Sequence, residues 1–157
     1  MNRHLLLDIE GTTCAVSFVS DILFPFAKRE LSSYLIQNEH NGNQSQTIQK
    51  AKKEWAEDQS VKSVQLKKQV DLQQISEVDA LTQYLEHLII IDKKSTALKD
   101  LQGQIWELGY SNGELKAELF PETVECLQQW HRQRITLSVY SSGSIHAQKL
   151  LYRYTSE

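Results

Sequence analysis

Asp8 and Glu10 stand two residues apart, directly after Leu5-Leu6-Leu7 and directly before Gly11-Thr12-Thr13. A short apolar run of this kind reads as a buried strand, and on an extended chain side chains two apart share a face. The two carboxylates therefore point the same way, while Ile9 between them turns back toward protein. Gly11 permits a sharp turn and a close backbone approach to a ligand. The carboxyl ends of strands are where open α/β sheets bind their ligands. An Asp in that place is a nucleophile competent toward phosphorus, giving an aspartyl-phosphate that water hydrolyses. A second carboxyl two residues on can protonate the leaving oxygen and then deprotonate that water. Taken alone, an Asp-x-Glu at a strand end serves equally as solvated loop, cap or Asx-turn, so the rest of the chain decides.

A second polar turn lies far along the chain. Ile135 to Tyr140 is a β-branched and aromatic run that reads as a strand, and it ends in Ser141-Ser142-Gly143-Ser144. Ile145 to Tyr152 then reads as helix. Parallel strands place like ends side by side, so the two turns are expected to face one site. The Ser141 and Ser142 hydroxyls, with the N–H groups that open the following helix, make a cradle for phosphoryl oxygens. Mg²⁺ is the cation that suits such a site, since hard carboxylate and carbonyl oxygens are its ligands and it would offset the charge between Asp8 and a phosphate. Other chemistries find no support: there is no P-loop, GxGxxG or G-x-S-x-G. His146 falls within the helix, and Cys14 has no basic neighbour in sequence and reads as inert core.

The elements that must hold these turns can be read coarsely. Ser20 and Asp21 are expected to cap a helix running to Asn38, with Pro25 tolerated in its first turn. Residues 39–46 read as a polar loop with Asn41-Gly42 as its turn signal, and a charged helix follows from Gln46 to Asp58. Residues 59–71, polar and Lys-rich, read as a mobile connection. Val78, Leu81, Leu85 and Leu88, and again Leu98, Leu101, Ile105 and Leu108, form apolar stripes at helical spacing. Gly109 to Gly113 ends that region. Pro121 suits the first position of a helix carrying Val124, Leu127 and Trp130. Strand, helical insertion, helix, strand and Gly turn together make a βαβ pattern, with the insertion as a lid over the site.

Composition narrows the function classes. With 157 residues, 40% hydrophobic, 24% charged and a net charge of −3, the chain reads as an ordinary globular protein. That balance gives no electrostatic footprint for nucleic acid or an anionic membrane. Cys14 and Cys126 are far apart and lack CxxC spacing, which fits a reducing compartment and neither a disulfide framework nor a zinc site. A monomeric cytoplasmic protein acting on a small phosphorylated substrate is the expectation.

Four segments carry a resemblance: DIEGTT, SFVSDILFPFA, TALKDLQGQIWELGYSNGELKAELFPETVECLQQW and YSSGSIHAQKLL. Together they resemble the enolase-phosphatases of methionine salvage, also called acireductone synthases, in the haloacid-dehalogenase superfamily. Glu rather than Asp at position 10 takes the match beyond the generic superfamily motif. The resemblance implies an α/β fold: a partial doubly wound parallel-sheet core at 1–19 and 116–157, with a helical cap domain at 20–115. It implies that Asp8 is nucleophile and Mg²⁺ ligand, and that Glu10 is acid/base with its backbone carbonyl on the metal. It implies, too, that Ser141, Ser142 and Gly143 bind substrate phosphate. The implied substrate is 2,3-diketo-5-methylthiopentyl 1-phosphate, enolised and then dephosphorylated to an acireductone.

The resemblance also sets expectations of departure. The superfamily's third-motif Lys and fourth acidic motif lie on later strands, and the chain reaches Glu157 just after the second motif, so an incomplete copy with impaired activity is expected. A two-stranded parallel sheet is expected to leave its edges and one face uncovered. Arg134 stands where a family member usually has Gly as helix stop. Two other readings remain open at this point: a non-catalytic remnant acting as a binding or interaction module, and a related phosphatase of different substrate.

Overall fold

In the computed structural model, which describes residues 3–155 apart from the side chains of Asn43 and Gln44, the chain divides into two compact units. Met1–Pro25 with Trp106–Glu157 form the first, and Phe26–Ile105 form the second. The architecture is mixed: helices throughout, with one small parallel sheet. Among the described residues no helix is long and apolar enough to cross a membrane.

The sheet belongs to the first unit. Strand β1 (His4–Leu7) pairs in parallel with β2 (Thr136–Val139), His4 opposite Thr136 and Leu7 opposite Val139. The ladder runs one bond further at each end, Thr136 N–H to Arg3 carbonyl at 3.0 Å and Tyr140 N–H to Leu7 carbonyl at 2.8 Å. Both strands alternate between exposed and half-buried residues, so Leu5, Leu7, Leu137 and Val139 face inward while His4, Leu6, Thr136 and Ser138 face water. Sheets of this type normally have both faces covered. Here one face of the sheet is open among the described residues, as a two-stranded sheet was expected to leave it.

Helix α6 (Pro121–Arg132) leads into β2, and Pro121 opens it as the sequence predicts. Its Val124, Leu127 and Trp130 stripe is only half-buried, and no residue of the helix is fully buried. The helix stops through a left-handed residue: Arg134 has φ +57°, and Ile135 N–H reaches back to the Trp130 carbonyl at 3.0 Å. That backbone conformation favours glycine and costs a side-chain-bearing residue about 1 kcal/mol. Helix α7 (Ile145–Arg153) follows β2, with Ser144 as N-cap accepting the Ala147 N–H at 3.1 Å.

The second unit is helical. Its elements are most of α1 (Phe24–Asn38), α2 (Gly42–Glu57), α3 (Val61–Asp71), α4 (Glu77–Ile90) and most of α5 (Thr96–Ser111). Leu81, Leu85, Leu88, Leu98, Leu101 and Ile105 are buried, as their spacing predicts, but Leu108 is exposed. The α4 stripe starts after a capping Ser76 that accepts the Asp79 N–H at 3.0 Å.

Three expectations are corrected. The loop read at 39–46 is shorter, because helix α2 already begins at Gly42. Residues 59–71 are not a mobile connection: Val61–Asp71 is helix α3, capped by Ser60, whose hydroxyl accepts the Ser63 N–H at 3.3 Å. Ser63 and Leu66 are fully buried, and Lys67 donates to the Ala56 and Asp58 carbonyls at 2.8 Å each. Tertiary contacts with α4 and these charge-assisted bonds outweigh the polar composition. Nor does a helix begin at a Ser20–Asp21 cap. The helical path is already established by a π-helical segment at Phe18–Leu23, continuous with α1, and the Ser20 hydroxyl donates sideways to Asp21 at 2.7 Å. Pro25 lacks an N–H and its ring crowds the carbonyl four residues back, a conflict that the wider π turn ahead of it relieves. The Leu23 carbonyl accepts the buried Trp106 indole N–H at 2.8 Å.

Candidate functional site

The register of β1 with β2 brings the two polar turns level, because Leu7 and Val139 are partners and each is the last residue of its strand. Asp8 and Glu10 follow from one, Ser141 and Ser142 from the other. All four line a single open cleft of about 430 Å³ in the first unit, with Leu6 and Leu7 beside them and Tyr140 completing the wall. Tyr140 is 76% exposed and was not singled out by the sequence; an aromatic at the end of a β-branched run reads as strand filler there.

The first turn is tightly wired. Ile9 is buried between the two exposed acids, and its carbonyl accepts the N–H groups of Thr12 and Thr13 at 3.1 and 2.9 Å. Gly11 takes φ +74°, and an added Cβ there would meet Val16 at 3.3 Å. Asp8 Oδ1 accepts the neighbouring Ile9 N–H at 2.7 Å. Buried Thr13 donates its hydroxyl to the Ile9 carbonyl at 3.2 Å and shares a hydrogen bond with Tyr152 at 3.1 Å. Burial pushes the Tyr152 phenol upward; the Thr13 bond opposes that, while Cys14 and Asp8 add to it. Tyr152 therefore keeps its proton at neutral pH. Cys14 is wholly buried and its thiol is held protonated by burial and by Glu10, which agrees with inert core.

The second turn is wired by its own hydroxyls. Ser141 Oγ accepts the Gly143 N–H at 3.1 Å, and Ser144 takes the Ala147 N–H. Gly143 lies in this turn but does not line the cleft, and its N–H is engaged by Ser141. Accepting that bond leaves the Ser141 hydroxyl proton available to an anion. Gln148 of α7 donates to the Gly143 carbonyl at 2.9 Å. His146 lies in α7, as expected, and pairs with Glu107 at 3.2 Å.

Asp8 and Glu10 offer only hard oxygens to a cation, a donor set suited to Mg²⁺, which binds through one or two carboxylates and takes its remaining ligands from water and substrate phosphate. Among the described residues no group of three or more His, Cys, Asp or Glu side chains gathers as a closed metal cage.

The class is a mixed helix-and-strand protein with a small parallel sheet, whose strand ends bring paired acids and a hydroxyl-rich turn to one cleft. The particular relatives are close. The chain is 66% identical over 98% of its length to an enolase-phosphatase E1 of Synechococcus sp. (strain CC9605), of which it covers 61%. Its identity is 54%, over 98% of the chain, to one from Parasynechococcus marenigrum (strain WH8102), covering 63% of that protein, and 40%, over 96%, to one from Pseudomonas fluorescens (strain Pf0-1), covering 59%. A solved structure, the UTR4 protein (Unknown transcript 4 protein) of Saccharomyces cerevisiae, matches all of this chain and 58% of its own at a TM-score of 0.72 and 27% identity. No family profile matches the chain. The chain is thus homologous along nearly its whole length to proteins named enolase-phosphatase E1, and it spans about three-fifths of theirs.

Proposed function

We propose that the cleft is the phosphate-transfer half of an enolase-phosphatase site, acting in methionine salvage on 2,3-diketo-5-methylthiopentyl 1-phosphate in a cytoplasmic setting. The supporting observation is that Asp8, Glu10, Ser141 and Ser142, 131 residues apart at their nearest, line one cleft. On this reading the two strands are part of a doubly wound haloacid-dehalogenase-like core.

The Ser141 and Ser142 hydroxyls and the first N–H groups of α7 hold the phosphoryl oxygens. An Asp8 carboxylate oxygen bonds to phosphorus as the ester P–O bond breaks, and Glu10 gives its proton to the departing oxygen. Glu10 then takes a proton from water, whose oxygen bonds to phosphorus as the Asp8–phosphorus bond breaks and the carboxylate is restored. Asp8 and the Glu10 backbone carbonyl are suited to hold Mg²⁺, which when bound offsets the like charges of carboxylate and phosphate.

The test is inorganic phosphate release from the diketo substrate in MgCl₂, alongside phosphate binding to the same chain. Asp8→Asn is expected to abolish release, and Ser142→Ala to weaken binding. Release that survives Asp8→Asn, or phosphate binding that ignores both substitutions, would sink the reading.

A further inference from the structure

Helix α7 touches both turns of the cleft. Gln148 donates its side-chain N–H to the Gly143 carbonyl of the second turn at 2.9 Å, and Tyr152 meets Thr13 of the first turn at 3.1 Å. The two residues are four apart on one helix, so they lie on the same face, one turn above the other. Thr13 has a single hydroxyl proton and directs it to the Ile9 carbonyl, so Tyr152 is the donor in their bond. Gln148 reaches the Gly143 carbonyl from outside the turn, while the Gly143 N–H serves Ser141.

We propose that Gln148 and Tyr152 are positioning residues: α7 is a strut whose one face fixes the Asp8–Glu10 turn and the Ser141–Ser142 turn relative to each other. Neither residue lines the cleft. The β1–β2 pairing alone sets the two strand ends level, but both turns extend past the last ladder bond, and the bonds within each turn do not tie it to the other. Locking the Gly143 carbonyl fixes the Gly143–Ser144 peptide plane that closes the turn behind Ser142, and locking Thr13 fixes the loop that returns from Glu10. Preorganisation of this kind is what an anion site requires of its donors. The inference rests on the phosphate-site reading for its consequence, though not for its geometry.

The test uses the full ¹⁵N-labelled chain in MgCl₂, titrated with inorganic phosphate, with backbone order of the Ser141–Gly143 and Thr12–Cys14 amides measured before phosphate is added. Gln148→Leu and Tyr152→Phe should each loosen the turn they touch and weaken phosphate about fivefold, the scale of one hydrogen bond. Gln148→Lys, which restores a donor, should recover most of the loss. Tyr154→Phe removes a hydroxyl from the same end of α7 that bonds Ser111 instead, and should leave both readouts unchanged. Turn amides that stay as ordered in both variants as in the parent would overturn the strut, whatever phosphate does. If the parent itself binds no phosphate, the site reading fails while the order measurement still decides the strut.

Discussion

Leu6 and Leu85 carry the same side chain to opposite ends. Leu85, midway along α4 in the helical unit, is 1% exposed, while Leu6, at the centre of the sheet that positions the cleft, is 69% exposed. The contrast holds more widely. In the helical unit Leu31, Leu35, Ile48, Leu66, Leu81 and Leu101 are sealed, and Asp58 is held among polar partners. Asp58, its side chain 8% exposed, accepts from Lys93 at 2.7 Å, Tyr84 at 2.9 Å and the Ser60 N–H at 2.7 Å. In the unit that carries the cleft, strands are half-covered, α6 buries nothing completely, and a left-handed Arg134 closes it. Sealed side chains are concentrated in the helical unit, and the proposed site residues sit in the less covered one.

The largest effect is expected from testing the two leucines directly. Leu85→Ala should cost about 2–5 kcal/mol in urea unfolding followed by helical circular dichroism, by lost transfer and a residual cavity. Leu6→Ala should stay within about 0.5 kcal/mol, as surface positions do. Equal costs would erase the contrast.

Next is the Asp58 junction. Its neighbours, the Lys93 ammonium first and then the Ser60 N–H, hold the carboxyl well below its usual range. A carboxyl depressed in the folded state contributes stability that is fully present above the unfolded value, near 3.8, and is lost as pH falls toward the folded one. Asp58→Ala should therefore destabilise the helical unit by about 1–3 kcal/mol at pH 7. Melting at pH 7 and pH 3 should show a smaller acid penalty in the variant than in the parent, and an identical penalty would remove Asp58 from the account.

The smallest expected effect lies in the cleft unit. Arg134→Gly should stabilise by about 1 kcal/mol, by removing a Cβ from a left-handed backbone at φ +57°. A loss of stability instead would mean that the Arg134 side chain contributes more than its backbone strain costs.

Legibility cut across that divide. The α4 and α5 stripes were readable because helical spacing and burial coincide there, and β1, β2 and α7 were readable from apolar runs that end in Gly and Ser. Helix α3 was not. Its apolar Val61 and Val64 face water, while Ser63 and Leu66 are buried, so no periodic stripe marks the packed side. The polar cap at Ser60 was the available signal. The π-helical entry at Phe18–Leu23 has no composition signature either, since it answers to Pro25 downstream.

The sequence by itself determined the chemistry on offer: two acids of one face after a short strand, and two serines before a helix, because strand alternation and turn residues are local properties. The βαβ pattern raises the expectation that the two turns face each other, and tertiary structure supplies the register by which all four residues line one cleft. Parallel pairing of residues 132 apart in sequence sets Leu7 beside Val139, and no local rule carries that register. Tertiary structure likewise decided that Tyr152, unremarkable in sequence, reaches the first turn, since a hydrogen bond between segments 139 residues apart exists only once packing has brought its partners within 3 Å or so, whereas the Gln148 bond to Gly143 is local to the start of α7.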